Sequence, residues 1–169
     1  MKVLCLALAG SFVASSAAAA CGPEALGTSR TLSVGSEGGV AVGLKSYPRA
    51  LPLAEREVVL TFDDGPDAGA TPRILDALAK ECVKATFFMI GRNAAANPAI
   101  AKRARAEGHA IAYHSSTHPA ATLRGLPQAK AEADILNGME QVDRAAFGAA
   151  ERGHPKSSFF RFPGFADSP

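Results

Sequence analysis

From Val58 onward, short continuous apolar runs alternate with segments of helical periodicity, and this rhythm limits the fold more than any other feature. Val58–Phe62, Ala85–Ile90, His109–His114 and Ser158–Phe162 have the length of strands. Pro72–Cys82, Pro98–Glu107 and Pro127–Phe147 carry the spacing of helices. A run that is apolar at every position suits a strand buried on both faces, which is what helical crossovers over a parallel sheet provide. The expectation is an α/β fold of βα units around a parallel sheet or barrel. Pro72 and Pro98 fall in first turns, where a missing N–H costs nothing, and Thr71 and Asn97 are suitable N-caps. Gly108 suits a helix stop before the third strand.

Residues 21–57 have a different texture, rich in Gly, Ser and Pro. The alternating runs Thr31–Val34 and Val40–Leu44 flank Gly35-Ser36-Glu37-Gly38-Gly39, a pattern that predicts a small β-hairpin. The first twenty residues differ again: Lys2, an apolar run from Val3 to Val13, then Ala18-Ala19-Ala20. This predicts a signal peptide cleaved before Cys21, placing the mature chain outside the cytoplasm, secreted or periplasmic. An uncleaved anchor is the alternative, weakened by the Ala/Ser-rich second half, so no stable membrane span is expected after cleavage. Ala-Ala-Ala-Cys resembles a lipoprotein processing site faintly, with Ala18 where a larger aliphatic residue is expected. The organisation read from sequence is therefore a leader at 1–20, an extension with a hairpin at 21–57, and a main domain at 58–169.

With 169 residues and 47% apolar content, the chain can bury a core as one domain. Its net charge of +2 and the lack of a Lys/Arg cluster argue against a nucleic-acid partner. If the leader is removed, Cys5 goes with it, leaving Cys21 and Cys82 in an oxidising compartment. They can form one bridge, tying the mature N-terminus to the end of a helix, or Cys82 can remain a buried free thiol; sequence does not decide between these.

Three places carry candidate chemistry, each where a strand ends and a loop begins, as in parallel α/β barrels. The first is Thr61-Phe62-Asp63-Asp64-Gly65-Pro66. Adjacent acids on extended backbone point in different directions, so one can bind a metal while the other stays free as a base. Taken alone, Asp-Asp-Gly is also an ordinary acidic turn. The second is His114-Ser115-Ser116-Thr117-His118-Pro119, two imidazoles four apart that would share a face on a helical turn. Such pairs also occur as plain polar surface. Asp64, His114 and His118 would form a two-His, one-carboxylate site with open positions, suited to Zn²⁺ or a similar divalent ion. The third is Phe159-Phe160-Arg161-Phe162-Pro163-Gly164. A guanidinium ending an apolar strand needs a carboxylate partner, and Asp63 is the candidate; a surface Arg is the alternative.

Together, the three segments resemble the polysaccharide deacetylases that share the NodB homology domain, carbohydrate esterase family 4. Residues 61–66 look like the family's first motif, His-Ser-Ser-Thr-His at 114–118 like its second, and Arg161-Phe162-Pro163 like its third. The resemblance implies an irregular (β/α) barrel of the NodB-homology type. It implies Asp63 as general base, Asp64, His114 and His118 as metal ligands, and Arg161 as the residue orienting Asp63. It also implies a backbone N–H at Gly164 that stabilises the oxyanion. The implied cofactor is a divalent ion, Zn²⁺ first, with Co²⁺ or another as alternatives. The implied reaction is removal of N-acetyl groups from N-acetylglucosamine polymers such as chitin oligosaccharides or peptidoglycan. Where the family usually has Tyr, this chain has Gly164, which removes a side chain from the sugar-binding wall. The family's two later motifs, including the Leu-x-His that supplies the general acid, do not occur before Pro169. Neither His109 nor His154 stands in a matching context. The expectation is a barrel incomplete at its C-terminus, and a rival reading is a catalytically silent fragment that binds only metal or glycan. An unrelated metallopeptidase is disfavoured because no His-Glu-x-x-His is present.

Overall fold

A computed structural model describes residues 21–35, 50–120 and 122–165. The expected leader and the second half of the expected hairpin, Val40–Leu44, lie outside the described residues. The first half, Thr31–Val34, forms no strand.

The elements follow in chain order: β1 (Thr61–Asp63), α1 (Ala70–Lys80), β2 (Thr86–Met89), α2 (Gly91–Ala96), α3 (Pro98–Ala106), β3 (Ala110–Tyr113) and α4 (Gln128–Phe147). Short 3₁₀ turns occupy Leu123–Gly125 and Pro163–Phe165. The three strands form one parallel sheet in the order β1-β2-β3, with Phe62 opposite Phe87 and Phe87 opposite Ile111. This is the βα crossover architecture expected from the alternating runs.

Leu75 and Leu78 of α1, Phe87 and Met89 of β2, and Ile111 and Tyr113 of β3 meet in one apolar cluster. Ala101 and Ala104 of α3 and Val142 of α4 are wholly buried in it. Small residues at those helix positions let the backbones approach the sheet, and each large side chain buried this way contributes about 1.5–3 kcal/mol. One polar network crosses this core. The Tyr113 hydroxyl donates to Asp143 Oδ1 (2.6 Å) and accepts from the Ser157 N–H (2.8 Å), while the Lys156 N–H donates to Asp143 Oδ2 (3.1 Å). Burial and the Asp143 contact push the Tyr113 phenol upward, so it serves as a neutral donor.

Several boundaries differ from the sequence reading. β1 begins at Thr61, and Val58, Val59 and Leu60 are 83%, 44% and 41% exposed. Among the described residues β1 has a partner only on its β2 side, so an apolar run alone did not make a buried strand there. Among the described residues, the segment expected as a strand at 158–162 pairs only through a parallel bridge between Phe160 and Tyr113. Pro163 then turns the chain away. Helix α1 starts at Ala70, and Asp67 rather than Thr71 caps it: Asp67 Oδ1 accepts from the Gly69 and Ala70 N–H groups. The Thr71 hydroxyl is buried and accepts from the Asp67 N–H. Asn97 precedes α3 without a capping bond; its amide donates instead to the Pro66 and Asn93 carbonyls. Helix α2 was not anticipated. Gly108 stops α3 with φ +84°, as its position suggested.

The N-terminal segment is fastened to the far end of α1. Cys21 and Cys82 are bridged, with their Cα atoms 5.9 Å apart. The Gly27 N–H donates to the Glu81 carbonyl (2.9 Å), and the Lys84 N–H donates to the Thr28 hydroxyl (2.7 Å). Among the described residues, no helix is long and apolar enough to cross a membrane.

Candidate metal centre

The C-terminal ends of β1 and β3 lie on the same edge of the sheet, which brings distant parts of the sequence together. Asp64 follows β1, and His114 follows β3. Asp64 Oδ1 lies 3.3 Å from His114 Nε2 and 3.4 Å from His118 Nε2. The three potential ligand atoms all fall within 4.8 Å of one another.

The route to this cluster differs from the one inferred from spacing. Asp64 is not extended: its φ is +68°, while the Asn93 side-chain amide donates to its carbonyl oxygen (2.7 Å). Asp can adopt this left-handed conformation more readily than most residues, and here the Asp64 carboxylate faces the two imidazoles while that of Asp63 meets Arg161. A cis peptide joins Gly65 to Pro66 immediately afterwards. His114 and His118 do not share a helical face. They sit on a loop in which Ser115 (φ +62°) and His118 (φ +48°) bend the chain back, and the His118 N–H donates to the buried Ser115 hydroxyl (3.0 Å).

That loop rests on α2 and α4. The Gly91 and Arg92 N–H groups at the start of α2 donate to the Ser115 and Ser116 carbonyls. Helix α4 passes so close that a Cβ at Gly138 would collide with the backbone of Ser115 and Ser116, and one at Gly91 would collide with Gly138 and Gln141. A glycine inside a helix costs about 1 kcal/mol relative to Ala, so Gly138 was a legible sign of close packing that the sequence reading passed over.

The imidazole of His114 has a defined orientation. Its Nδ1 lies 2.7 Å from the Arg161 carbonyl oxygen, which can only accept. Nδ1 therefore carries the proton, and in a neutral ring Nε2 presents its lone pair to the Asp64 carboxylate. Two acceptors 3.3 Å apart need a positive charge between them. The donor set, the fixed tautomer and the convergence of the ligand atoms all fit a divalent cation. The sequence reading missed this bond because it joins a backbone atom to a side chain 47 residues away.

Residue 161 also serves the other acid. Arg161 Nη1 donates to Asp63 Oδ1 (2.6 Å) and to the Thr61 hydroxyl (3.1 Å), with its guanidinium 4.0 Å from the Phe88 ring centre. The pairing of Asp63 with Arg161 is thus present in the structure, and both side chains are about a quarter exposed. Gly164 lies just beyond, at φ +66° in the turn that follows Pro163. Of the remaining imidazoles, His109 is buried at the start of β3, the end opposite His114, and His154 is exposed beside Glu151. Two surface hollows of about 350 and 540 Å³ lie elsewhere, against α3 and α4 and below Phe159. Neither is lined by Asp64, His114 or His118.

Residues 50–166 match the polysaccharide deacetylase family. The chain belongs to that family. Among its curated relatives, a peptidoglycan-N-acetylglucosamine deacetylase of Bacillus cereus is 51% identical over 74 residues, covering 44% of this chain and 27% of the relative. A chitooligosaccharide deacetylase of Rhizobium leguminosarum is 48% identical over 65 residues, covering 38% of this chain and 30% of the relative. A solved family 4 acetyl xylan esterase of Clostridium thermocellum, in complex with a cobalt ion, is 35% identical with a TM-score of 0.55. That likeness covers 66% of this chain and 50% of the esterase. This deacetylase-family chain therefore spans between about a quarter and a half of the length of the relatives it matches. The fold expectation of an α/β deacetylase domain holds, and the described sheet supplies three consecutive strands of it.

Proposed function

We propose that this chain carries the metal-binding and general-base half of a deacetylase active site. The reaction is hydrolysis of the acetamide of N-acetylglucosamine units in peptidoglycan or chitin-type glycans. The observation that carries this reading is the coexistence of two separate acids: Asp64, turned towards two imidazoles, and Asp63, turned towards a guanidinium. A hydrolase needs that division of labour between ligand and proton acceptor.

Asp64, His114 and His118 would hold the ion, with Zn²⁺ the first candidate and Co²⁺ the alternative, since imidazole and carboxylate ligands suit both. When bound there, a divalent ion supplies Lewis acidity, which makes water acidic enough to lose a proton near neutral pH. Asp63, aimed by Arg161, would accept the proton given up by the water that attacks the acetyl carbonyl. The backbone N–H of Gly164 donates to the oxyanion that develops. With no side chain at residue 164, the wall of the sugar site is open there. The leader at 1–20 is read as an export signal, which fits a glycan substrate outside the cytoplasm.

The test is metal analysis of the purified chain together with acetate release from N-acetylglucosamine oligomers, for the wild type, Asp63→Asn and His118→Ala. Asp63→Asn should keep its metal and lose about 10²- to 10⁴-fold in rate. His118→Ala should lose metal. Full activity in both variants would overturn the site. A second reading is metal or glycan binding without hydrolysis, since within residues 50–165 the imidazoles outside the cluster are His109, buried at the other end of β3, and His154, exposed beside Glu151. Stoichiometric metal with no acetate released would select it.

A further inference from the structure

One carboxylate of α4 gathers three donors of the loop that carries the second imidazole. Asp134, in the second turn of α4, accepts from the Ser116 N–H (2.9 Å) and the Thr117 N–H (3.2 Å) through Oδ1. Its Oδ2 accepts from the Thr117 hydroxyl (2.7 Å). The Ser116 N–H also lies 3.1 Å from the Asp134 backbone carbonyl. Three donors from two consecutive residues thus converge on one acid immediately before His118.

We propose that Asp134 is a positioning residue for the metal centre, acting through His118 by fixing the loop that presents its imidazole. The inference rests on the reading of Asp64, His114 and His118 as ligands.

The two imidazoles are not equally secured. His114 is 3% exposed, follows directly from β3, and has its ring nitrogen fixed by the Arg161 carbonyl. The His118 side chain is 32% exposed, and the residue lies beyond one left-handed bend, at Ser115, and is itself a second. Left-handed non-glycine residues persist where surrounding bonds enforce them. Within the loop, the bond available is the His118 N–H to Ser115 Oγ. From outside it, the Gly91 and Arg92 N–H groups donate to the Ser115 and Ser116 carbonyls, Gln141 accepts from the Ser116 hydroxyl, and Asp134 alone reaches Thr117 next to His118. Hydrogen bonds from N–H groups to a carboxylate are charge-assisted and about twice as strong as neutral ones. Asp134 therefore limits where His118 can move. A ligand kept near its bonding position loses less freedom when the ion arrives, so the effect appears as affinity.

The experiment is titration with Co²⁺ alone, followed by its visible absorption, on the full chain. Circular dichroism and thermal melting of each variant accompany the titration. Asp134→Ala should weaken Co²⁺ binding about 10- to 100-fold. Asp134→Asn, which retains a neutral acceptor for the two N–H groups, should recover part of that loss. Thr117→Val removes only the Oδ2 bond and should cost a few-fold; it carries the test if Asp134→Ala does not fold. The deciding measurement is the combination with His118→Ala. If Asp134 acts through His118, removing it from the His118→Ala background changes the residual Co²⁺ affinity little. An equal loss in both backgrounds would make Asp134 a structural residue only, as would wild-type affinity in Asp134→Ala and Thr117→Val. Failure of the wild type to bind Co²⁺ or Zn²⁺ would remove the metal centre itself, and the inference with it. Binding by the wild type with no response to Asp134 would overturn the inference alone.

Discussion

The ends of β3 and β1 build the two sides of the candidate site by different means. At the end of β3, His114 is buried and fixed at its ring nitrogen, while the Ser115–Ser116 backbone is pressed between α2 and the glycine face of α4. At the end of β1, the Asp64 side chain is 66% exposed, and the backbone is held in its left-handed turn by the Gly65 N–H on the Asp63 carbonyl and by the Asn93 amide on the Asp64 carbonyl. The strand leading into it is preceded by three exposed apolar residues. His114 is thus pre-placed by packing and His118 by the bonds of its loop, and the carboxylate retains freedom to adjust. A coordination site built this way can adapt its anionic ligand to the ion while its neutral ligands stay fixed.

This contrast can be tested by weakening each side in turn. The bridge between Cys21 and Cys82 joins positions 61 apart in sequence. Replacing both with Ser should lower stability by about 4 kcal/mol on the chain-entropy estimate, seen as a lower denaturant midpoint. Co²⁺ affinity of the folded protein should not change, because the bridge lies at the C-terminal end of α1, away from the ligands. Gly138→Ala strikes the packed side directly. It should cost about 1–3 kcal/mol from overpacking and also displace His118, so stability and Co²⁺ affinity should fall together. If Gly138→Ala lowers stability but leaves affinity intact, the loop is not held by α4 as described. Asn93→Ala strikes the open side and should weaken Co²⁺ binding by about twofold to tenfold, the worth of one hydrogen bond. A loss exceeding that of Gly138→Ala would reverse the comparison.

The smallest effect concerns His109. Burial, with Lys84 nearby, pushes its imidazole below the ordinary value of 6.5. Its Nδ1 accepts the Ala85 N–H (3.2 Å), which requires an unprotonated nitrogen. The unfolded chain binds a proton below pH 6.5 that the folded chain does not. Stability should therefore fall as pH drops from about 6.5 towards the folded value and level off beneath it. His109→Gln should flatten that limb in a comparison of denaturant midpoints across pH. A limb unchanged by the substitution would assign it to other groups.

The residues that meet at the site were legible in sequence; the reasons they meet were less so. Asp64, His114 and His118 stood out because strand ends followed by acids and paired imidazoles are uncommon together. Yet a helical turn was the wrong device for the His pair, and extended backbone was the wrong conformation for Asp64. Both errors share a cause: residues with positive φ leave no mark in composition when they are Asp, Ser or His rather than Gly. Val58–Leu60 misled in another way, since an apolar run states what a segment can bury but not whether a neighbour covers it. Helix α2 was missed because six residues are too few to display a period. Asn93, Asp134 and Asp143 act through bonds to distant backbone atoms, which no local pattern encodes.

Residue 161 reaches both halves of the site at once, with its carbonyl on His114 and its guanidinium on Asp63. A one-residue slip of this segment along Tyr113 would disable both functions together. Changing the side chain alone separates them: it releases Asp63 while the carbonyl continues to set the ring of His114. Position 161 thus acts as a shared index mark, against which the ion's cradle and the proton acceptor are both aligned.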